Sequence, residues 1–135
     1  MSAPPGRGPA GVARVQVLDS EGGPPLPIVA SGGFARAVVW PGIGAELRSL
    51  HWIELAPGGE TIEMRHPSEA VYYVVRGAGE VTDGSDGSSR QLVEGAMAHI
   101  EAGTPYRLRA GDAGMEFVGG PAPADPALYG AGAAA

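Results

Sequence analysis

Apolar and polar residues alternate in short runs along most of this chain, and turn-forming residues interrupt the runs at close intervals. An alternation with a period of two marks a β-strand with one buried face. Val12–Leu18 (VARVQVL) sets Val15 and Val17 against Arg14 and Gln16 and predicts a first strand. Phe34–Trp40 predicts a second, closed by Pro41-Gly42. Glu46–Ala56 predicts a third. With Glu54 facing solvent, Leu50 and Trp52 share its outer face, while His51, Ile53 and Leu55 point inward.

Pro57-Gly58-Gly59 reads as a turn, and Thr61–His66 as a strand with Ile62, Met64 and His66 on one face. Pro67-Ser68 then leads into Ala70–Val75 (AVYYVV), which is mostly β-branched and aromatic. Gly77-Ala78-Gly79 reads as a further turn, and Asp83–Ser89 (DGSDGSS) as an exposed hairpin tip. Gln91–Val93, Met97–Glu101, Tyr106–Ala110 and Met115–Val118 complete the pattern, separated by Gly95, Gly103-Thr104-Pro105 and Gly111-Asp112. About nine short strands with turns between them predict an antiparallel sandwich or barrel around one interior. No helix and no fixed repeat emerges.

Composition sharpens this picture in three ways. The 135 residues suit a single domain, with a Pro/Gly-rich arm over 1–27, a barrel over 28–120 and a tail over 121–135. Met1–Gly11 and the closing GAGAAA are expected to be flexible; Asp125–Tyr129 has the apolar content to fold back. The chain has no cysteine, which removes disulfide and thiolate chemistry. A formal net charge of −6 without a basic cluster argues against nucleic acid as a partner. No apolar run approaches the roughly 20 residues of a membrane span. The opening residues lack the apolar segment of a secretory signal, so the expected location is the cytoplasm.

The stretch Pro57–Gly79 (PGGETIEMRHPSEAVYYVVRGAG) resembles the first motif of the cupins, small jelly-roll β-barrels, which runs G-x5-H-x-H-x3-4-E-x6-G. Gly58, His66 and Gly77 fall on it. The second motif, G-x5-P-x-G-x2-H-x3-N, is echoed by Gly95–Ala110, where Gly95 and Gly103 fit. The resemblance covers residues 34–118 and implies an all-β, antiparallel jelly-roll barrel. It also implies a homodimer, for which the outward Trp52 is the candidate contact.

In typical cupins three histidines and a glutamate bind a divalent metal inside the barrel. Here those positions hold Met64, His66, Ala70 and Tyr106. A single imidazole cannot hold an ion that needs three or more N/O donors. Glu69 stands one residue short of the glutamate position, which in a regular strand turns it outward, while a bulge at Pro67-Ser68 would turn it in, so its facing stays open. The remaining metal alternative is a site of His51, His66 and His99, the only three histidines, with Met64 and Met97 as soft neighbours. His99 lies in MAHIE, whose alternation does not say which face is inside.

Three functions follow. The first needs no cofactor: an isomerase, cyclase or lyase acting by proton transfer on a small carbonyl or enol-type metabolite. His66 is its base, since imidazole titrates near neutrality. Tyr106 is its acid or oxyanion donor, and His51, Met64 and Tyr72 line the substrate pocket. The residue types resemble the His/Tyr pair of metal-free cupin sugar epimerases. The second is a dioxygenase-type metalloenzyme using the three histidines. The third is a barrel that binds a small ligand without turnover.

Overall fold

The computed structural model describes residues 13–130. The expectation for Met1–Gly11 lies outside that range, as does all but the first residue of the closing GAGAAA. Six strands carry the fold: β1 (Val29–Val39), β2 (Leu50–Thr61), β3 (Glu69–Asp83), β4 (Ser89–Leu92), β5 (Met97–Ile100) and β6 (Tyr106–Ala122). Every pairing is antiparallel. The strand order is β1-β2-β6-β3-β4, with β5 joining the edge of β3 that β6 leaves free. The architecture is the jelly-roll β-barrel that the alternation and the motifs predict. Two 3₁₀ turns, Pro41–Ile43 and Pro126–Tyr129, are the helical elements among the described residues.

The strands are fewer and longer than the turn signals suggest. Pro57-Gly58-Gly59 lies inside β2, Gly77-Ala78-Gly79 inside β3 and Gly111-Asp112 inside β6. Each cluster is a bulge rather than a chain reversal. Between the pairs Gly77↔Met115 and Gly79↔Ala110, β3 uses one residue and β6 uses the four of 111–114. Extra residues on one strand bend it and increase its twist. Gly77 (φ +83°) and Gly114 (φ +78°) face each other at this bend, in backbone conformations that favour glycine. The bends curl the sheet around one core that includes Ile28, Ile53, Leu55, Val74, Leu108, Met115 and Phe117.

Two further expectations are corrected. Residues 14–18 form no strand, because Val15 (89% exposed) and Val17 (94%) find no apolar face to pack on. The run Thr61–His66 is not a regular strand either. β2 ends at Thr61, whose buried Oγ1 accepts from Leu108 N at 3.0 Å, and Ile62 turns out to solvent. Met64 and His66 still point inward, both buried. They do so through an isolated bridge, in which Met64 N donates to Tyr106 O at 2.7 Å and Tyr106 N donates to Met64 O at 2.8 Å.

Candidate active site

Pairing across the sheet brings distant residues into one interior row. His51 on β2 pairs with Gly119 on β6, which pairs with Tyr72 on β3, which pairs with Ala98 on β5. Gly119 makes room at the centre: a Cβ there would stand 2.8 Å from Tyr72 Cδ1. Gly120 does the same for its neighbours, since a Cβ would stand 2.6 Å from Ser49 Oγ and 3.1 Å from His51 Nδ1. The Met64–Tyr106 bridge sets Tyr106 and His66 beside this row. Gly103 N, donating to His66 O at 2.8 Å, pins the backbone after the bridge.

The side chains join into a continuous hydrogen-bonded chain. Asp125 Oδ2 lies 2.8 Å from His66 Nδ1, His66 Nε2 lies 2.7 Å from Tyr106 OH, and Tyr106 OH lies 2.6 Å from Tyr72 OH. All four residues are buried. Met64 Sδ, 3.9 Å from Tyr106 OH, caps the apolar side. Tyr72 packs edge-on against Phe117 at 5.7 Å and Tyr106 edge-on against His66 at 5.6 Å. Burial holds the Tyr106 phenol far above the usual tyrosine range, with the neighbouring Tyr72 adding to it. Burial likewise raises Tyr72, a rise that its bond to Tyr106 partly offsets.

His51 belongs to a second, smaller group. Its Nε2 lies 2.7 Å from Tyr129 OH, and its Nδ1 is buried without a hydrogen-bond partner among the described residues. Burial pushes its pKa down to about 4, with His66 as the secondary cause, so it is neutral at physiological pH. Tyr129 is pushed up to about 12, chiefly by burial.

The structure thus brings together four residues singled out in the sequence, Met64, His66, Tyr72 and Tyr106, and sets His51 in the second group with Tyr129. It leaves His99 apart. His99 is exposed and stands 3.6 Å from Glu69, itself exposed, so the three histidines do not converge. Glu69 points outward, the direction of a regular strand rather than of a bulge at Pro67-Ser68. Among the described residues no three His, Cys, Asp or Glu side chains form a metal-binding group. At the positions of the family's ligands, both nitrogens of His66 are taken by protein partners, and Tyr106 fills the space of another donor. These residues do not fit a divalent ion.

Asp125 and Tyr129 are the site residues that sequence reasoning misses. The Asp-Pro pair marks a local turn cap, and Asp125 Oδ1 does accept from Ala127 N at 3.0 Å. Nothing local reveals that its other oxygen meets a histidine 59 positions away.

Of these buried groups, Tyr106 also lines a cavity of about 590 Å³ beside β4 and β5, whereas His51, Met64 and Tyr72, expected to line the substrate pocket, do not line it. Val81, Leu92, Ala98 and Ile100 give it apolar walls, while most of its lining is polar, with Asp83, Asp86, Arg90, His99 and Glu101 among it.

A family profile described as "Cupin domain" matches residues 51–118, half of the chain. No curated protein matches it. Among solved structures, the polyketide cyclase RemF from Streptomyces resistomycificus aligns with a TM-score of 0.65 and 19% identity, over 78% of this chain and 78% of that one. A variant of oxalate decarboxylase from Bacillus subtilis aligns at 0.65 and 22% identity, over 79% of this chain and 29% of the decarboxylase. A cupin-like protein from Thermotoga maritima aligns at 0.64 and 16% identity, over 78% and 79%. At these identities the shared property is the fold.

Proposed function

This chain belongs to the cupin family, and from that premise we propose that it is a metal-independent acid–base enzyme acting on a small carbonyl or enol-type metabolite. The observation that carries the reading is Tyr106: it lines the cavity and is hydrogen-bonded to His66 at 2.7 Å. Other members of the fold include a polyketide cyclase and an oxalate decarboxylase, so the scaffold tolerates different chemistries and the residues must decide.

The reaction class is isomerisation, ring closure or elimination initiated at a carbon next to a carbonyl. Tyr106 is the group that meets substrate. As its oxygen takes the proton from that carbon, its own hydroxyl proton moves to His66 Nε2. The electron pair released from the C–H bond becomes an enolate. The proton then returns to another atom, or a bond β to the carbonyl forms or breaks. Burial keeps the Tyr106 phenol protonated, so it gives up its proton only as His66 Nε2 receives it. Tyr72 donates to the Tyr106 oxygen and limits the charge it carries. The reading includes a homodimer and a cytoplasmic location, and a chain without cysteine fits a reducing compartment.

Deuterium exchange into the α-carbon of a panel of carbonyl metabolites in D2O, followed by NMR, tests this without knowledge of the product. Exchange is expected to survive exhaustive chelation. It is expected to fall on the order of a hundredfold or more in Tyr106→Phe and in His66→Ala. Full exchange in both variants sinks the proposal, as does exchange that disappears with chelation and returns with metal. Ligand-induced stabilisation without exchange favours a binding protein.

A further inference from the structure

The last strand ends at Ala122, and the chain then continues as a strap, Pro123–Tyr129, that joins no strand and buries Asp125 while Pro123, Pro126 and Ala127 stay exposed. Two side chains of this strap reach the two inward histidines. Asp125 Oδ2 meets His66 Nδ1 at 2.8 Å and Tyr129 OH meets His51 Nε2 at 2.7 Å. The strap is seated independently of them. Ala124 N donates to Glu46 O at 3.2 Å, Ser68 Oγ donates to Pro123 O at 2.8 Å, and the Tyr129 ring packs on Trp40 at 5.3 Å.

We infer that Asp125 is a positioning residue: delivered by the strap, it determines which nitrogen of His66 carries the proton. The inference rests on the reading of His66 and Tyr106 as an acid–base pair. A carboxylate oxygen accepts, so the proton of the neutral imidazole sits on Nδ1 and points at Asp125. Nε2 then presents its lone pair to Tyr106, whose O–H donates to it, and the Tyr106 oxygen is left to accept from Tyr72. One orientation satisfies every group in the chain. The other tautomer sets a lone pair against the carboxylate and points an N–H at Tyr106, which removes the acceptor that the Tyr106 proton needs. Asp125 cannot turn away, because its Oδ1 is held by Ala127 N at 3.0 Å. When His66 takes up the Tyr106 proton, the imidazolium faces the carboxylate directly, an ion pair that forms only in that state.

The substitution Asp125→Asn gives a sharp outcome. The amide oxygen must stay on Ala127 N–H, since an NH2 there would oppose another donor. The NH2 therefore faces His66 Nδ1 and donates to it, which inverts the tautomer. Ring 15N NMR of the full chain at alkaline pH, with His66 assigned from the loss of its signals in His66→Ala, reads this directly. The wild type is expected to show a protonated Nδ1 and a bare Nε2, and Asp125→Asn the reverse. Tyr129→Phe serves as the local control: it changes the His51 signals and leaves those of His66 in place. The same His66 tautomer in wild type and Asp125→Asn overturns the inference. If Asp125→Asn does not fold, the wild-type spectrum decides alone, and a protonated Nε2 overturns it. The α-proton exchange assay separates the two readings. Inversion with exchange reduced on the order of a hundredfold supports both. Inversion with unchanged exchange upholds the positioning role and overturns the acid–base function.

Discussion

Tyr106 stands where the family's third metal-binding histidine stands, and His51 shows what the same interior does to an imidazole that has no charged partner. With its pKa pushed down to about 4, His51 takes up a proton in the folded state only well below the value of about 6.5 at which it does so in the unfolded chain. Between those values the unfolded state binds more protons, so unfolding free energy rises with pH through this window. The contribution is complete above about pH 6.5 and is lost as pH falls toward 4, on the order of 3 kcal/mol across the interval. Urea unfolding at a series of pH values is expected to show that slope, and His51→Asn is expected to flatten it. An unchanged slope in the variant rules out His51 as its source. The inward direction of His51, Tyr72 and Tyr106 is legible at this scale, because alternation within a strand fixes a face without reference to any partner, whereas Met64 and His66 turn inward through the bridge to Tyr106 while Ile62, assigned to the same face, turns out. Hydrogen bonds across 40 or 59 positions, such as those of His66 to Tyr106 and Asp125, leave no local trace.

At the scale of the elements, glycine clusters are where the sequence is ambiguous. PGG, GAG and GD each read as the end of a strand, and each is a bend within one. A turn and a bulge ask for the same residues with positive φ, and only the register of the partner strand tells them apart. The bends are not equivalent in cost, and this can be measured. Gly58 has φ +74° with no atom within 4 Å of a Cβ built there. Gly58→Ala therefore carries the backbone penalty alone, about 1 kcal/mol. Gly77 has φ +83°, and a Cβ would overlap the carbonyl oxygen of Gly114 on the facing strand. Relief requires moving backbone at the bend that curls the sheet, so Gly77→Ala is expected to cost about 3 kcal/mol or more. Urea midpoints of the two variants check the difference. Equal losses would mean that the Gly77–Gly114 approach is not a constraint on the fold.

At the scale of the whole molecule, the outer face of the sheet is as ordered as the inner one. Trp52, Val118, Tyr73 and Met97 form one cross-strand row pointing away from the core. Tyr73 is 40% exposed and Met97 71%, and Phe34, at 44%, lies on the next row. Beside the apolar row runs a charged one, with Arg76 and Glu116 paired at 2.8 Å. A flat apolar stripe with a polar border fits a self-complementary contact between two copies related by a two-fold axis. The net charge of −6 opposes that association, and salt screens the repulsion while leaving the apolar contact intact. Sedimentation equilibrium is therefore expected to give the mass of two chains, with dissociation favoured at low ionic strength. The double variant Phe34→Glu, Tyr73→Glu, at two exposed positions outside the cavity lining, is expected to be monomeric at any salt concentration. Its thermal unfolding and α-proton exchange should stay close to wild type, because Asp125, His66, Tyr106 and Tyr72 all come from one chain. A wild-type monomer at high protein concentration and moderate salt would remove the dimer from the reading and leave the site untouched. Loss of exchange in a folded, monomeric variant would mean that the partner copy shapes the cavity beside Tyr106.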